Sequence, residues 1–230
     1  MTARRSRAAA DSYHHGNLRQ VLLDRAVELA RAGGPDAVVL RDVQRMAGVS
    51  NSAAYRHYAD RDALLAAVTE YAEGRLADAM LVRLDTVAGH RTTAKRAIER
   101  FRATGQGYID FALDEPGLFR TAFAHTDAAR ERHRPDSAGG THGGTHGGTH
   151  GGTADVDDRH PFQILIRCID DLVAAGVLSP DRRDGLDEAA WAAVHGLSTL
   201  FLDGPLSTAG TARRQLIADR LFDVISLGLQ

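Results

Sequence analysis

The stretch from Leu40 to Tyr58 constrains the fold more than any other part of this chain. Its spacing of apolar and small residues predicts a short helix, a tight turn at Gly48-Val49-Ser50 and a second short helix. Gly48 suits the left-handed conformation that ends a helix, and Ser50 is a good N-cap for the next one. This is the plan of a helix-turn-helix, for which an ordinary hairpin of two helices is the alternative.

The second of these helices would turn a polar face outward. In a helix-turn-helix that face enters the major groove, where small donors, an aromatic hydroxyl and a cation can reach base edges and phosphates. The face carries side chains of these kinds: Asn51, Ser52, Tyr55, Arg56 and His57. The stretch therefore favours DNA binding as the function.

Apolar residues recur at three- and four-residue steps through nearly all of the remaining chain, which predicts an all-α fold. An amphipathic helix is expected from Gly16 until Gly33 and Pro35 stop it, and Asp60 can cap another that runs to about Leu84. Further helices are expected over about 92–113, 183–202 and 211–227, and from Pro116 and Pro161.

Two segments lack this periodicity. Residues 1–13 are small, basic and polar, and predict a flexible arm. Residues 135–159 contain a His-Gly-Gly-Thr repeat carried by His142, His146 and His150, and glycine at this density predicts a disordered loop between two helices. An expanded linker is the favoured interpretation of the repeat, and binding of nickel, copper or zinc by its imidazoles is the alternative.

Composition excludes several other classes of protein. The 28 Lys and Arg balance 30 Asp and Glu, so bulk charge does not hold this chain to nucleic acid. The single cysteine, Cys168, excludes a disulfide framework. No apolar stretch suits a membrane span and no secretory signal is present, so a cytoplasmic protein is expected. The chain has no Gly-rich phosphate loop, paired histidine ligands or nucleophile elbow, so we expect neither an enzyme nor a cofactor or metal site.

Residues 13–65 resemble the DNA-binding domain of the TetR/AcrR family of bacterial transcriptional regulators. The segments that carry the resemblance are Tyr13-His14-His15-Gly16-Asn17-Leu18, Leu40-Arg41-Asp42-Val43, Ala47-Gly48-Val49-Ser50, Tyr55-Arg56-His57-Tyr58 and Asp60-Arg61-Asp62-Ala63-Leu64-Leu65. The later part resembles the ligand domain of a subclass with a Trp-x3-His-Gly signature, here Trp191 and His195-Gly196. Two positions depart from the family: Val39 replaces a capping Ser or Thr, and Gln44 replaces a small alanine.

The resemblance implies a sequence-specific regulator with a helix-turn-helix domain at 14–60 and a ligand-binding and dimerisation domain at 61–230. It implies that Asn51, Ser52 and Ala53 face bases, and that Ser50 caps the recognition helix and touches the DNA backbone. Phosphate contacts are implied for Arg41, Tyr55, Tyr58 and Arg61. A repressor released from a palindromic operator by a small molecule is the favoured action, with a positive regulator or a ligand- or metal-binding protein with a vestigial head as the alternatives.

A single helix-turn-helix contacts few base pairs, so useful affinity calls for a homodimer with two heads about one DNA turn apart. The apolar faces of the last two helices are the expected dimer interface, formed by Leu197, Leu200, Phe201, Leu216, Leu221 and Val224. A ligand pocket is implied by the resemblance. Its candidate lining residues, for which a plain helical core is the alternative, are Phe101, Tyr108, Phe111, Phe119, Phe123, Phe162, Ile166, Trp191 and His195.

Overall fold

The structure, a computed structural model, describes residues 18–87, 93–124 and 159–228. Within these ranges it contains α-helices, two 3-10 turns at Pro35–Ala37 and Pro180–Arg182, and no strand, so the predicted all-α class is confirmed. The α-helices of these ranges are α1 Leu18–Gly33, α2 Leu40–Ala47, α3 Asn51–Tyr55, α4 Arg61–Asp85, α5 Ala94–Asp114, α6 Pro116–Ala122, α7 Pro161–Ala174, α8 Leu186–Leu202 and α9 Thr211–Gly228. The predicted arm and the His-Gly-Gly-Thr repeat lie outside the described residues.

Three of the helix starts follow directly from a capping side chain. Thr93 caps α5 through its hydroxyl, which accepts a hydrogen bond from the backbone N–H of Arg96 at 3.3 Å. His160 caps α7 through its ring Nδ1, which accepts from the backbone N–H of Phe162 at 3.3 Å. Pro161 takes the first helical position, where its missing N–H costs nothing. Asp60 caps α4 by accepting from the N–H of Ala63 at 2.7 Å. These caps position the ends of the helices that build both parts of the molecule.

The described residues form two compact units. The first comprises residues 18–72 and 117–124, and the second comprises 73–116 and 159–228. The boundary expected at residue 60 falls at the start of α4, whereas the first unit also takes in residues 61–72 and 117–124. Each unit has its own buried apolar core.

In the first unit, α1 packs against both α2 and α3. The core of this unit contains Leu22, Ala26, Val43, Ala54, Leu64 and Val68, all fully buried. Helix α6 closes on α1 at Gly117, where a methyl group would lie 2.2 Å from the carbonyl oxygen of Ala30. Thr69 of α4 donates a hydrogen bond to the carbonyl oxygen of Thr121 at 3.1 Å, which ties α4 to α6.

In the second unit, α5 packs against α7, α8 and α9. Ion pairs also link the helices of this unit: Arg83 with Asp110, Arg100 with Asp171, and Arg102 with Asp223. None of the helices in the described ranges is long and apolar enough to span a bilayer. Those ranges also contain no group of three His, Cys, Asp or Glu side chains that could hold a metal ion.

Candidate nucleic-acid interface and ligand cavity

The turn between α2 and α3 is a closed, regular helix end. Gly48 has φ 68° and ψ 29°, the left-handed conformation that a glycine adopts without steric cost. Its N–H donates to the carbonyl of Arg45 at 3.3 Å, and the N–H of Val49 donates to the carbonyl of Gln44 at 3.1 Å. This pair of bonds is the Schellman motif, which satisfies the last carbonyls of α2. The direction of the chain into α3 is therefore determined by backbone geometry.

Helix α3 starts at a capped residue and presents a polar face. The hydroxyl of Ser50 accepts from the N–H of Ala53 at 3.3 Å and lies 3.2 Å from the hydroxyl of Ser52. Ala54 is fully buried against the core of the first unit. Asn51, Ser52 and Tyr55 of the same helix are exposed. This is the arrangement that a recognition helix needs.

Exposed cations and one aromatic hydroxyl surround this face. Tyr55 is among the large apolar side chains that are exposed in the described structure. Arg56 follows it directly, and Arg41 is exposed on the first turn of α2. Ala53 and His57 are half-buried, and the N–H of His57 donates to the carbonyl of Ala54 at 2.9 Å. The exposed side chains can donate to base edges and to phosphate oxygens.

Two residues for which the resemblance implied phosphate contacts also have partners within the first unit. Tyr58 is only 3% exposed, and its hydroxyl donates to the carbonyl of Arg19 at 3.4 Å. Arg61 donates from Nε to the carbonyl of Val38 at 2.8 Å and from Nη2 to the carbonyl of Pro35 at 2.7 Å. These bonds tie the Tyr58 phenol and two of the three guanidinium nitrogens of Arg61 to the first unit, while the Arg61 side chain stays 40% exposed.

The two departures from the family pattern have visible consequences. Val39 occupies the N-cap of α2 and provides no side-chain hydrogen bond to the first turn. Gln44 points inward: it is 7% exposed, and its Nε2 has no hydrogen-bond partner among the described residues. Both positions leave polar groups of α2 less well satisfied than a capping hydroxyl and an alanine would.

An apolar cavity lies in the second unit. It is lined by residues of α4, α5, α7, α8 and α9, and its volume of about 20 Å³ is room for about one water molecule. Three of the candidate ligand residues line it: Phe101, Tyr108 and Trp191. The remaining lining residues were not singled out from the sequence: Met80, Thr104, Gly105, Leu165, Ala190, Val194, Phe222 and Ile225. Phe222 lies on the periodic apolar face of α9, for which the sequence predicted a role in the dimer interface. That periodicity is the sequence signal that could have indicated Phe222 as a residue of the cavity wall.

Tyr108 is the centre of an aromatic cluster beside the cavity. Trp191 meets it edge-to-face with ring centroids 5.4 Å apart, and Phe162 meets Trp191 at the same distance. One turn after Trp191, His195 Nδ1 lies 2.8 Å from the hydroxyl of Tyr108. Burial raises the pKa of Tyr108 and lowers the pKa of His195, so both groups are uncharged at neutral pH.

The other candidate ligand residues lie away from the cavity lining. Phe111 is buried in α5, and Ile166 is half-buried in α7. Phe119 and Phe123 form an edge-to-face pair with centroids 5.1 Å apart, but they belong to the first unit. Of the nine candidates, three therefore line the cavity, two (Phe162 and His195) lie in the aromatic cluster beside it, two lie elsewhere in the second unit and two lie in the first unit.

Comparison with known proteins decides the family. A model of the bacterial regulatory proteins of the tetR family matches residues 22–68, which contain the helix-turn-helix. A model of the tetracyclin repressor-like C-terminal domain matches residues 101–225, more than half of the chain. The chain belongs to the TetR family. It is a TetR-family transcriptional regulator with a helix-turn-helix DNA-binding domain and a C-terminal ligand-binding domain.

Solved structures share this fold over nearly the whole length. A protein of unknown function from Rhodococcus sp. RHA1 is 29% identical, with a TM-score of 0.68 over 94% of this chain and 97% of that one. A TetR-family transcriptional regulator, PfmR from Thermus thermophilus, is 19% identical, with a TM-score of 0.55 over 91% and 98%. A tetR-family regulatory protein from Rhodococcus RHA1 is 16% identical, with a TM-score of 0.55 over 92% and 96%. No curated protein matches the chain.

The six residues expected at a dimer interface of this TetR regulator fall into two groups. Leu197 and Phe201 are buried inside the second unit, and Leu221 is half-buried. Leu200, Leu216 and Val224 are large apolar side chains exposed on α8 and α9. A methyl group added at Gly196, on α8, would meet nothing within 4 Å.

Proposed function

We propose that this TetR-family regulator is a repressor that binds a palindromic operator as a homodimer and leaves it when a small molecule binds. The observation that carries the proposal is the capped, outward-facing helix α3, whose exposed side chains are polar, aromatic and cationic. A helix that served only to pack the first unit would not need this face.

In this proposal Asn51, Ser52 and Ala53 approach base edges, while Tyr55, Arg56 and Arg41 contact phosphates. Ser50 acts as the N-cap of α3, and its hydroxyl is engaged by Ala53 and Ser52. His57 lies at the edge of this surface. Tyr58 and Arg61 stabilise the first unit beneath this surface, because the Tyr58 hydroxyl and the Arg61 Nε and Nη2 donate to backbone carbonyls of that unit.

Dimerisation through α8 and α9 is supported by the exposure of Leu200, Leu216 and Val224. These side chains are 42%, 45% and 67% exposed, so burying the rest of each against a second copy gains roughly half of the about 1.5–3 kcal/mol that full burial gives. Two copies related by a twofold axis present two recognition helices, which is why the operator is expected to be palindromic.

The effector is proposed to bind at the apolar cavity beside Tyr108 and Trp191, the tryptophan of the Trp-x3-His-Gly signature. A ligand that favours one conformation of the second unit lowers DNA affinity by the coupling free energy between the two sites. The small volume of the cavity means that binding requires some rearrangement of its walls.

The DNA-binding part is tested by the salt dependence of affinity for a random-sequence duplex, measured by fluorescence anisotropy. Removing one lysine or arginine from a phosphate reduces the slope of log K against log salt by about 1, so Arg41→Ala and Arg56→Ala should each lower it by about that amount. Lys95→Ala is the control, because Lys95 is an exposed cation on α5 in the second unit. Slopes that match the unaltered protein in both arginine variants would contradict the proposed surface.

The dimer part is tested by sedimentation equilibrium. Val224→Glu should dissociate the dimer, because a carboxylate cannot be buried unpaired without a large desolvation cost. Val82→Glu is the matched control, since Val82 on α4 is 65% exposed against 67% for Val224. If both variants stayed dimeric, or if both became monomeric, the assignment of α9 to the interface would be contradicted.

A further inference from the structure

The ring of Phe222 sits at the wall of the apolar cavity on the side of α9. It is buried and lines the cavity. Its edge rests on the backbone of α5 at Gly105, where a methyl group would lie 2.5 Å from Cε1 and 3.0 Å from Cζ. No real side-chain carbon tolerates such a contact with a fixed ring, so a glycine at this position is what allows the ring to seat here.

Arg102 holds the same ring. Its Cζ lies 5.6 Å from the ring centroid of Phe222, within the range of a cation–π contact. Its Nη1 lies 2.8 Å from Oδ1 of Asp223, and its Nη2 lies 3.9 Å from Oδ1 of Asp219. The hydrogen bond from Arg102 lowers the pKa of Asp223, so the carboxylate is ionised at neutral pH. Helix α9 is thereby clamped to α5 at the position of the ring.

The polar groups of the cavity wall already have partners within the protein. The hydroxyl of Thr104 donates to the carbonyl of Arg100 at 3.0 Å, and the hydroxyl of Tyr108 pairs with His195. None of the described side chains that line the cavity carries a charge. A charged ligand would lose its hydration here without compensation, whereas an apolar ligand gains free energy for each part of its surface removed from water.

We propose that the cavity takes an uncharged, predominantly apolar effector, and that Phe222 is its gate, held shut by Arg102. This inference rests on the proposed function in treating the cavity as the effector site. A space of about 20 Å³ holds about one water molecule, so a larger ligand requires part of the wall to move. In this proposal the part that moves is the ring of Phe222, which leaves its seat on Gly105 when the effector enters. That movement breaks the Arg102–Asp223 pair and shifts α9, the helix that exposes Leu216 and Val224.

The ligand class is tested with two probes that differ by one sulfonate. The only tryptophan of the chain, Trp191, lines the cavity and can transfer excitation energy to a bound naphthylamine. We expect the neutral N-phenyl-1-naphthylamine to quench Trp191 saturably, and the anionic 8-anilino-1-naphthalenesulfonate to bind at least about ten-fold more weakly. Equal or tighter binding of the anionic probe, or no saturable quenching by the neutral one, would overturn the proposed ligand class.

The gate is tested with matched arginine variants in the full-length protein. Arg102→Gln should bind the neutral probe about two- to five-fold more tightly, because it raises the population of the open form. Arg100→Gln is the control: Arg100 is 31% exposed against 30% for Arg102, and it pairs with Asp171 on α7. Phe222→Leu, which removes the ring and keeps an apolar side chain, should act in the same direction as Arg102→Gln.

Affinity that is unchanged or weaker in both Arg102→Gln and Phe222→Leu would overturn the gate, and so would an equal gain in Arg100→Gln. These readouts require no DNA. Failure of the gate therefore leaves the salt-dependence experiment intact. Conversely, a protein that failed to bind DNA would still show whether the neutral probe binds in the cavity and how tightly.

Discussion

The hydroxyl of Tyr108 lies 2.8 Å from Nδ1 of His195 and joins α5 to α8 beside the aromatic cluster. Tyr108 is buried, so this hydrogen bond satisfies a hydroxyl that water cannot reach. Either the phenol donates to Nδ1 or Nδ1–H donates to the phenol oxygen, depending on the tautomer of the ring. Burial lowers the pKa of His195, in the direction that keeps the imidazole uncharged.

This relationship predicts a dependence of stability on pH. The pKa of His195 is lower in the folded chain than in the unfolded one, so the unfolded chain takes up its proton first as the pH falls. The stabilisation is therefore complete above the unfolded pKa of about 6.5 and is lost progressively below it. His195→Gln keeps an acceptor but does not titrate, so its urea-unfolding midpoint should fall less between about pH 7.5 and about pH 5.5. Parallel profiles for the two proteins would contradict this role of His195.

A second prediction concerns the missing cap of α2. Val39→Ser supplies a hydroxyl to the orphan N–H groups of the first turn. Val39 is only 38% exposed, so the substitution also loses apolar burial, and the gain of about 1 kcal/mol in the free energy of unfolding is expected relative to Val39→Ala. Val39→Ala removes the same side chain without adding a cap. A thermal midpoint no higher in the serine variant than in the alanine variant would show that the first turn gains nothing from a hydroxyl.

The inward amide of Gln44 leads to a third prediction. A buried donor without a partner costs about 1–3 kcal/mol, so Gln44→Met, which keeps the length of the side chain, should stabilise the protein. Gln106→Met provides the comparison, because the amide of Gln106 donates to Asp110 at 2.7 Å and is already satisfied. We expect the midpoint of urea unfolding to rise in Gln44→Met and to stay level or fall in Gln106→Met. A loss of stability at position 44 would mean that this amide is bonded in the folded protein.

A fourth prediction contrasts two helical glycines. A methyl group at position 117 would lie 2.2 Å from a carbonyl oxygen of α1, so Gly117→Ala must push α6 away and should cost about 1–3 kcal/mol or more. Gly74 on α4 is exposed, and a methyl group there would meet nothing within 4 Å. Gly74→Ala should therefore stabilise the chain by about 1 kcal/mol through helix propensity. Thermal unfolding should show a lower midpoint for Gly117→Ala and a higher midpoint for Gly74→Ala. Midpoints that shift in the same direction would contradict the packing of α6 on α1.

The sequence predicts the secondary structure well where both ends of a helix are marked. Helix α2 covers Leu40–Ala47, the predicted span, because Gly48 stops it, and α7 begins at Pro161 as expected. Helix α3 is shorter than predicted and ends at Tyr55, since Arg56 and His57 form a turn. That turn contains neither glycine nor proline, the residues that commonly mark the end of a helix in a sequence.

The site residues were harder to assign, because their partners are distant in sequence. Arg61 looked available for a phosphate, yet its acceptors are carbonyls of Pro35 and Val38. Phe119 and Phe123 share the aromatic character of Phe101 but pack in the other unit. Phe222 was hidden among the apolar positions of α9, because periodicity does not tell which partner an apolar face meets. Such tertiary partners are read only from the fold.

Whether α3 reads DNA as part of a dimer is tested by selecting random duplex DNA with the full-length protein at near-physiological salt and sequencing the bound pool. We expect enrichment of a twofold-symmetric motif with half-sites about one helical turn apart, and loss of that enrichment in the double variant Asn51→Ala, Tyr55→Ala. A folded dimer that enriches no motif, or a motif that persists unchanged in the double variant, would contradict this role of α3.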